Sequence, residues 1–226
     1  MTTHRLVLHE HPFAAFCQKA LIALYELDLP FERHVVTDEA SRRELARLWP
    51  PAKIPVLRDE TAGLTVPEST TIIEYLDALA PDGRRLVPGG AADALQARLW
   101  DRFHDQYVAA PMQKIVGDHL RPDGRTDPEG VDEARRMLDT AYGALEPQLD
   151  GNAWTAGAAF TLADCEAAPA LFYARVVHRW DEDRFPNLTR YHRDLLGRPS
   201  VARVVDEARP YRGLFPMSWP ADVDVR

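Results

Sequence analysis

The sequence predicts an α/β domain followed by an all-helical domain. Residues 1–80 alternate between short apolar runs, which are typical of buried strands, and segments with helical spacing. The next stretch, residues 81–90, reads PDGRRLVPGG and has the Pro and Gly content of a linker. Residues 91–226 show helical spacing almost throughout. We therefore expect two domains joined by the segment 81–90.

The elements of the first domain are expected in the order β-α-β-α-β-β-α. The apolar run at residues 4–8 fits a buried strand. Phe16, Ala20 and Leu24 recur at i, i+4 and i+8 and predict a helix that Pro30 ends. Further strands are expected at residues 31–36, 55–58 and 64–66, and further helices at 39–48 and after Pro67.

Apolar residues at intervals of three and four indicate the helices of the second domain. Leu95, Leu99 and Phe103 mark the first of them, and a run from Val131 to Leu145 marks another. The tetrapeptide TLAD at residues 161–164 has the form of a capping box, in which the first and last side chains satisfy each other's backbone N–H groups. We expect a helix to begin there.

The composition argues against several classes of protein. The chain carries 27 Lys and Arg against 35 Asp and Glu, a net charge of −8, which disfavours binding to nucleic-acid phosphates. No apolar run approaches the roughly 20 residues that cross a bilayer, and residues 1–8 are too short and too polar for a signal peptide. Cys17 and Cys165 lie too far apart to suggest a disulfide framework. We expect a cytoplasmic protein with neither a membrane nor a nucleic-acid partner.

The motifs of the commonest nucleotide, zinc and serine-hydrolase sites are absent from the sequence. His9 and His11 flank Glu10 in a pattern that is able to hold a metal, but no third ligand stands at a suitable spacing. Solvated loop histidines are the simpler interpretation, and we expect no metal cofactor.

Four segments, in order and at the usual distances, resemble the cytosolic glutathione transferase superfamily, in particular its bacterial glutathione S-transferases. They are HPFAAFCQKALIALYELDLPFE at residues 11–32, KIPVL, PESTTIIEYL and TLAD. The resemblance implies a thioredoxin-like N-terminal domain, a helical C-terminal domain, a homodimer with the active site near the subunit boundary, and a role in detoxification. The two-domain order agrees with the one that periodicity predicts.

The resemblance implies that glutathione, as co-substrate, lies across two segments. Ser69 would bind the γ-glutamyl carboxylate and Glu68 the neighbouring ammonium, and a helix N-terminus suits such an anion. The alternative is that both residues only cap this helix. Pro55 stands where the family carries a cis proline, so that the backbone of Ile54 pairs with the ligand's cysteine like an added strand.

The glycyl carboxylate of glutathione would need a positive partner. Lys53 is the first candidate, and Arg42 or Arg43 are less secure ones. Exposed, solvated charges are the alternative for all three.

The residue that usually activates the thiol is missing from the sequence. Related enzymes carry Ser, Cys or Tyr near the start of the first helix, and here that position is Ala14. Three possibilities follow: backbone N–H groups at the helix start stabilise the thiolate, His11 does so, or the protein conjugates nothing and need not bind glutathione. Cys17 is either a packing residue or a partner for a mixed disulfide.

The resulting hypothesis is an enzyme that adds the glutathione thiolate to a small apolar electrophile. Phe13, Phe103, Tyr107 and Met112 are the candidates for the second-substrate side, with packing as the alternative for each. The rival hypothesis, which rests on Ala14, is a non-catalytic glutathione-binding or interaction module.

Overall fold

The computed structural model describes residues 4–81, 83–220 and 223. Its N-terminal domain has the predicted order of strands and helices. The elements are β1 Leu6–Glu10, α1 Ala15–Leu27, β2 Glu32–Val35, α2 Glu39–Leu48, β3 Val56–Asp59, β4 Leu64–Pro67 and α3 Ser69–Leu79. The four strands form one sheet in the order β2-β1-β3-β4, in which β2 runs parallel to β1 while β3 and β4 are antiparallel to their neighbours.

Helices cover both faces of this sheet. Leu6 and Leu8 of β1 are buried in a large core that also contains Leu21 of α1 and Ile72 of α3. On the opposite face, Leu45 is the one buried residue of α2, and it packs in a small separate cluster with Val56 of β3 and with Val36, which follows β2. Because α2 has so little buried surface, it is held to the sheet more weakly than α1 or α3.

The second domain is helical, as predicted. Its helices are α4 Ala91–Phe103, α5 Ala110–His119, α6 Pro128–Gln148, α7 Leu162–Val177, α8 Pro186–Gly197 and α9 Pro199–Ala208, with a π-helical turn His104–Ala109 between α4 and α5 and a 3₁₀ segment Arg209–Leu214 at the end. The helix α7 is buried on nearly all sides and contacts both α1 and α4, so it joins the two domains. None of the helices in the described residues has the length and apolar character that a membrane span requires.

The capping box predicted at the start of α7 is confirmed. The side chain of Thr161 accepts a hydrogen bond from the N–H of Ala163, and the N–H of Thr161 donates to Oδ2 of Asp164 at 2.8 Å. Asp164 is fully buried and also accepts from the hydroxyl of Tyr191 at 2.6 Å. The cap therefore ties α7 to α8.

The apolar spacing in α4 predicts the helix correctly but does not mark its buried face. Leu95 and Leu99 are 64% and 52% exposed, whereas Ala94, Ala97 and Asp101 are buried. The π-helical turn that follows widens the helix and rotates the next side chains relative to α4. The 3.6-residue period of α4 therefore does not carry over into α5.

The segment 81–90, the expected linker, falls between α3 and α4, and its residue 82 lies outside the described residues. Leu86 and Val87 are buried, and both their N–H groups donate to Oδ1 of Asp77 in α3. The carbonyl of Leu86 accepts from the N–H of Leu162 at the start of α7. This segment thus packs on both domains.

Candidate functional site

The start of α3 opens into a cavity of about 560 Å³. Glu68, the N-cap residue, has φ 68°, a left-handed conformation that a non-glycine residue adopts only where its surroundings enforce it. Its side chain makes no capping hydrogen bond, and Ser69 follows as the first residue of the helix. The positive end of the helix dipole and the Ser69 hydroxyl therefore face a space that an anion can enter.

The residues around this cavity carry charges of both signs. The lining residues are Phe16, Lys53, Ile54, Pro55, Glu68, Ser69, Thr70, Thr71, Arg98, Asp101, Arg102 and Asp105. Three acidic and three basic side chains thus surround one site, which suits a zwitterionic group. Nothing in the local sequence marks Arg98 and Arg102 as site residues, because the leucine spacing of α4 indicates a different face of that helix.

Ile54 lies where the first cavity meets a second one of about 410 Å³. The Ile54–Pro55 peptide bond is cis, as the resemblance implies. Strand β3 begins only at Val56, and within the described residues the backbone N–H and C=O of Ile54 make no hydrogen bond. An extended peptide is therefore able to pair with Ile54 in the manner of an added strand.

The second cavity leads to the start of α1. It is lined by His11, Phe13, Ala14, Val36, Arg42, Leu45, Ala52, Ile54 and Leu214. Ala14 is the N-cap of α1 and has no side-chain cap, and in the described part of the chain the N–H groups of Ala15 and Phe16 donate to no protein acceptor. Unpaired N–H groups and the helix dipole together make this helix start a site that favours negative charge.

His11 lines the same cavity, and its hydrogen bond and burial define its protonation state. Its Nδ1 accepts a hydrogen bond from the N–H of Phe13 at 3.2 Å, and its ring contacts that of Tyr211 with centroids 4.8 Å apart. Burial lowers the pKa of His11 below its usual value of 6.5. A neutral ring with Nδ1 as acceptor carries its proton on Nε2, so His11 is a neutral donor.

The basic residues expected to bind a carboxylate are divided between the two cavities. Lys53 lines the first cavity beside Ser69, whereas Arg42 lines the second beside Ala52. Arg43 lines neither of them, and its side chain is 62% exposed and paired with Glu39 of the same helix.

A third cavity of about 340 Å³ lies beside the start of α1 on the helical domain's side. Phe13 and Met112 line it, together with Val116, Tyr173 and Phe215. Its surface is mostly apolar, which suits a small hydrophobic molecule.

Phe103 and Tyr107, the other two candidates for this side, line none of these three cavities. Phe103 packs on Trp100 and on Tyr107, and Tyr107 is 44% exposed. A place for these two residues on the second-substrate side stays a prediction, and the ring contacts of Phe103 favour the packing alternative for that residue.

A buried charge cluster lies directly behind the start of α3. Nζ of Lys19 lies 2.7 Å from Asp101 and 3.1 Å from Glu166, and all three side chains are only 1% exposed. Lys19 also donates to the hydroxyl of Thr70, which in turn donates to Asp101 at 2.8 Å. The cluster fixes Thr70, and with it the first turn of α3, to the helical domain. Sequence periodicity gives no sign of this cluster, because Lys19 falls among polar positions of α1.

Two protonation states in the cluster follow from burial and charge. Burial alone lowers the pKa of Lys19, but the nearby carboxylates of Glu166 and Asp101 raise it above its usual value, so the ammonium stays charged. Burial raises the pKa of Glu166 to about 7, against the opposing effect of Lys19. The cluster directly behind the start of α3 therefore changes its net charge near neutral pH.

Cys17 is fully buried within α1, and burial raises the pKa of its thiol well above the usual value. A protonated, inaccessible thiol neither attacks a disulfide nor ligates a metal. This favours the packing role for Cys17 over a mixed disulfide. Cys165, in α7, is buried in the same way.

Two family models match the chain over most of its length. The model described as "Glutathione S-transferase, N-terminal domain" matches residues 8–85, and the model described as "Glutathione S-transferase, C-terminal domain" matches residues 128–194. These ranges contain α1, β3, the start of α3 and the capping box of α7.

Curated relatives and solved structures agree with the family models. Glutathione S-transferase GstB of Escherichia coli K12 is 28% identical over 192 residues, which cover 83% of this chain and 91% of the relative. A solved glutathione S-transferase from Methylobacterium radiotolerans, in complex with glutathione sulfonate, is 29% identical, with a TM-score of 0.77 over 89% of this chain and 94% of the other. One from Phanerochaete chrysosporium, with oxidized glutathione, shows the same fold at 23% identity and a TM-score of 0.82, over 94% of this chain and 98% of the other.

Other relatives have different names. The maleylacetoacetate isomerase of Dictyostelium discoideum is 23% identical over 93% of this chain and 97% of its own length. The probable elongation factor 1-gamma 1 of Arabidopsis thaliana is 26% identical over 94% of this chain, but over only 52% of its own length. Similarity of this degree therefore extends to proteins with other roles.

Proposed function

Because the chain belongs to the glutathione transferase superfamily, we propose that it binds glutathione as its co-substrate and adds the glutathione thiolate to a small apolar electrophile. The observation that carries the proposal is the position of Ile54, between a cavity that begins at Ser69 and one that ends at Ala14. Glutathione has an acidic part, an extended part and a thiol-bearing part. In the proposed position these parts would lie, in that order, at Ser69, at Ile54 and at Ala14.

The γ-glutamyl group would occupy the first cavity. Its carboxylate would accept hydrogen bonds from the Ser69 hydroxyl and the N–H groups of the first turn of α3, and its ammonium would lie by Glu68. The absence of a capping hydrogen bond from the Glu68 side chain supports this role over simple helix capping. Lys53 or Arg42 would bind the glycyl carboxylate, and the second cavity favours Arg42 because it also contains Ala14.

The thiol would lie at the start of α1, where Ala14 offers no side-chain donor. We propose that the unpaired N–H groups after Ala14 stabilise the thiolate, with His11 as a second donor from Nε2. Both donors favour the charged form of the sulfur and so lower the pKa of the thiol from its free value of roughly 8.5. The thiol proton leaves to solvent, and a sulfur lone pair forms the new C–S bond. In the same addition a π bond of the electrophile opens, and the atom that receives its electron pair takes up a proton from solvent.

The electrophile would enter the third cavity. Phe13 lines both this cavity and the one next to Ala14, so a molecule held there would reach the sulfur. The apolar lining, which includes Met112, supports an apolar co-substrate. The reaction class is conjugation in this proposal, although the relatives include an enzyme named as an isomerase.

The protein is proposed to act as a homodimer. Leu64 in β4 and Leu95 and Leu99 in α4 are large apolar side chains with 44%, 64% and 52% exposure, which a second copy would cover. Sedimentation of the wild type as a dimer, and of a Leu99→Arg variant as a monomer, is the expected result. A monomeric wild type at micromolar concentration would contradict it.

A non-catalytic glutathione-binding module is the second candidate, because Ala14 supplies no hydroxyl or thiol. Product formation from glutathione and a panel of small apolar electrophiles, followed by mass spectrometry, separates the two. We expect turnover by the wild type, loss of turnover but retained glutathione binding in Val116→Arg, which changes only the third cavity, and no change in the control Met137→Arg, whose exposed side chain lies on α6.

Absence of turnover with every electrophile in the panel, while glutathione still binds, would favour the non-catalytic module. Turnover gained in Ala14→Ser would then show that only the missing hydroxyl prevents catalysis. A cytoplasmic location is part of the proposal and would be tested by fractionation of cells that express the protein.

A further inference from the structure

Two histidines stand side by side on the face of the sheet that α2 covers. His9 of β1 and His34 of β2 are direct partners in the parallel register of the two strands, so their side chains leave the sheet on the same face. Their ring centroids lie 4.7 Å apart. In the sequence His9 and His11 flank Glu10, but His11 follows β1 and lines the cavity beside Ala14.

Glu44, on the helix α2 that covers this face of the sheet, lies close to the pair. Its Oε2 lies 3.7 Å from Nε2 of His34. One ligand atom from each of His9, His34 and Glu44 lies within 4.8 Å of the other two. The three residues come from three different elements, which explains why no sequence spacing predicts them.

The burial of His9 leaves a polar atom without a partner. His9 is only 3% exposed, and within the described residues its Nδ1 makes no hydrogen bond. An unpaired buried polar atom is uncommon in a native protein and points to a missing partner such as an ion or a water. The orphaned atom belongs to the same ring that faces His34.

We propose that His9, His34 and Glu44 bind a divalent transition-metal ion of the zinc type. Two imidazoles and one carboxylate are a donor set that suits Zn²⁺ and disfavours Ca²⁺ or Mg²⁺, which take oxygen ligands. Ligand atoms at roughly 2.1 Å from a tetrahedral ion lie about 3.4 Å apart, so the side chains need to close by at most about 1.4 Å. His34 and Glu44 are 35% and 53% exposed, which leaves a fourth position open to solvent.

The protonation state of His9 agrees with this role. Burial, together with the charge that His34 acquires when protonated, lowers the pKa of His9 below its usual value of 6.5. A neutral imidazole is the form that binds a metal, so no proton has to be displaced from His9 at neutral pH.

Bound metal would connect α2 to the sheet. Leu45 is the only buried residue of that helix, and Glu44 precedes it directly. A metal that holds Glu44 to two strand residues adds a second attachment and stabilises the folded state by mass action.

The experiment titrates Zn²⁺ into the full chain, freed of metal by dialysis against a chelator, in competition with a chromophoric zinc indicator. We expect one tight site per chain, weakened at least tenfold in His34→Ala and in Glu44→Gln. His119→Ala and Glu39→Gln are the matched controls, because both side chains are exposed and lie outside the cluster, and they should bind as the wild type does.

Melting curves without metal establish that the variants are folded. Equimolar Zn²⁺ should raise the melting temperature of the wild type and not that of the His34→Ala/Glu44→Gln double variant, whereas Mg²⁺ should raise neither. A second readout needs no variant: Zn²⁺ should protect His34 of the wild type from acylation by diethyl pyrocarbonate, measured by mass spectrometry. Wild-type binding no tighter than millimolar, equal affinity in the double variant, or unprotected His34 would each overturn the proposal.

Discussion

Replacement of Lys19 by Met tests the buried charge cluster between the two domains. The ammonium of Lys19 lies 2.7 Å from Asp101 and 3.1 Å from Glu166, and all three groups are excluded from water. Met preserves most of the volume of the Lys19 side chain and removes its charge. The variant therefore leaves two buried carboxyl groups without their counter-charge.

The expected cost at pH 7.5 is about 3–5 kcal/mol in the free energy of unfolding, the range for removal of one partner of a buried ion pair. Surface pairs are worth much less. Arg43→Met is the control, because Arg43 and its partner Glu39 are 62% and 72% exposed, and its cost should stay within about 0.5 kcal/mol.

The loss in unfolding free energy that Lys19→Met causes should grow as pH rises. Burial raises the pKa of Glu166 to about 7 even with Lys19 present, and removal of Lys19 raises it further. A carboxyl with a raised folded-state pKa holds its proton in the folded state after the unfolded state has released it, so stability falls as pH rises through that interval. The pH interval over which Glu166 keeps its proton only in the folded state extends to higher pH in the variant. The difference in unfolding free energy between the variant and the wild type should therefore be larger at pH 8.5 than at pH 5.5.

Urea denaturation of both proteins at pH 5.5, 7.5 and 8.5 measures these differences. The double variant Lys19→Met/Glu166→Gln should recover at least about 1 kcal/mol relative to Lys19→Met, because coupled neighbours deviate from additivity. A cost below about 1 kcal/mol, or a deficit that is the same at pH 5.5 and 8.5, would refute the electrostatic reasoning.

Three further predictions concern the capping box, acid stability and the thiol. Thr161→Ala should lower the free energy of unfolding by about 1 kcal/mol, measured by urea denaturation, because the cap of α7 loses its side-chain acceptor. Burial lowers the pKa of His104 and of His192 to about 3, and below pH 6.5 only the unfolded state takes up these protons, so each histidine should lower stability by up to about 1.4 kcal/mol per pH unit. Glu166 opposes this with the effect of one group, so the wild type should still lose stability between pH 6.5 and 4.5, and a gain in stability over that interval would contradict this. His11→Ala should lower kcat and leave glutathione affinity within about twofold, and an equal loss in both would exclude thiol activation as its role.

The order of secondary-structure elements is predictable from the sequence because local patterns determine it. The helix α2 is predicted at its observed bounds, and the capping box at Thr161 is visible as four adjacent residues. The face of a helix is less predictable. Leu95 and Leu99 suggest a buried stripe that the structure exposes, since the small residues Ala94 and Ala97 allow the close packing of α4 instead.

Site residues are predictable where a segment of sequence carries them and not where the fold assembles them. Ile54 and Ser69 each stand in a recognisable segment, and both line the first cavity. Arg98 reaches this cavity from the second domain, and His34 meets His9 only through strand pairing. No local spacing encodes such contacts, because they depend on tertiary packing.

The most direct test of the account is calorimetric titration of glutathione into the wild type and into Ser69→Ala. If glutathione binds at Ser69, we expect one site per chain in the wild type and an affinity lower by about tenfold or more in Ser69→Ala, because a hydrogen bond to a charged carboxylate is lost. The control Thr140→Ala, at an exposed hydroxyl of α6, should bind as the wild type does, and the dipeptide Cys-Gly, which lacks the γ-glutamyl group, should give no heat. No heat from millimolar glutathione with the wild type, or equal affinity in Ser69→Ala, would contradict the account.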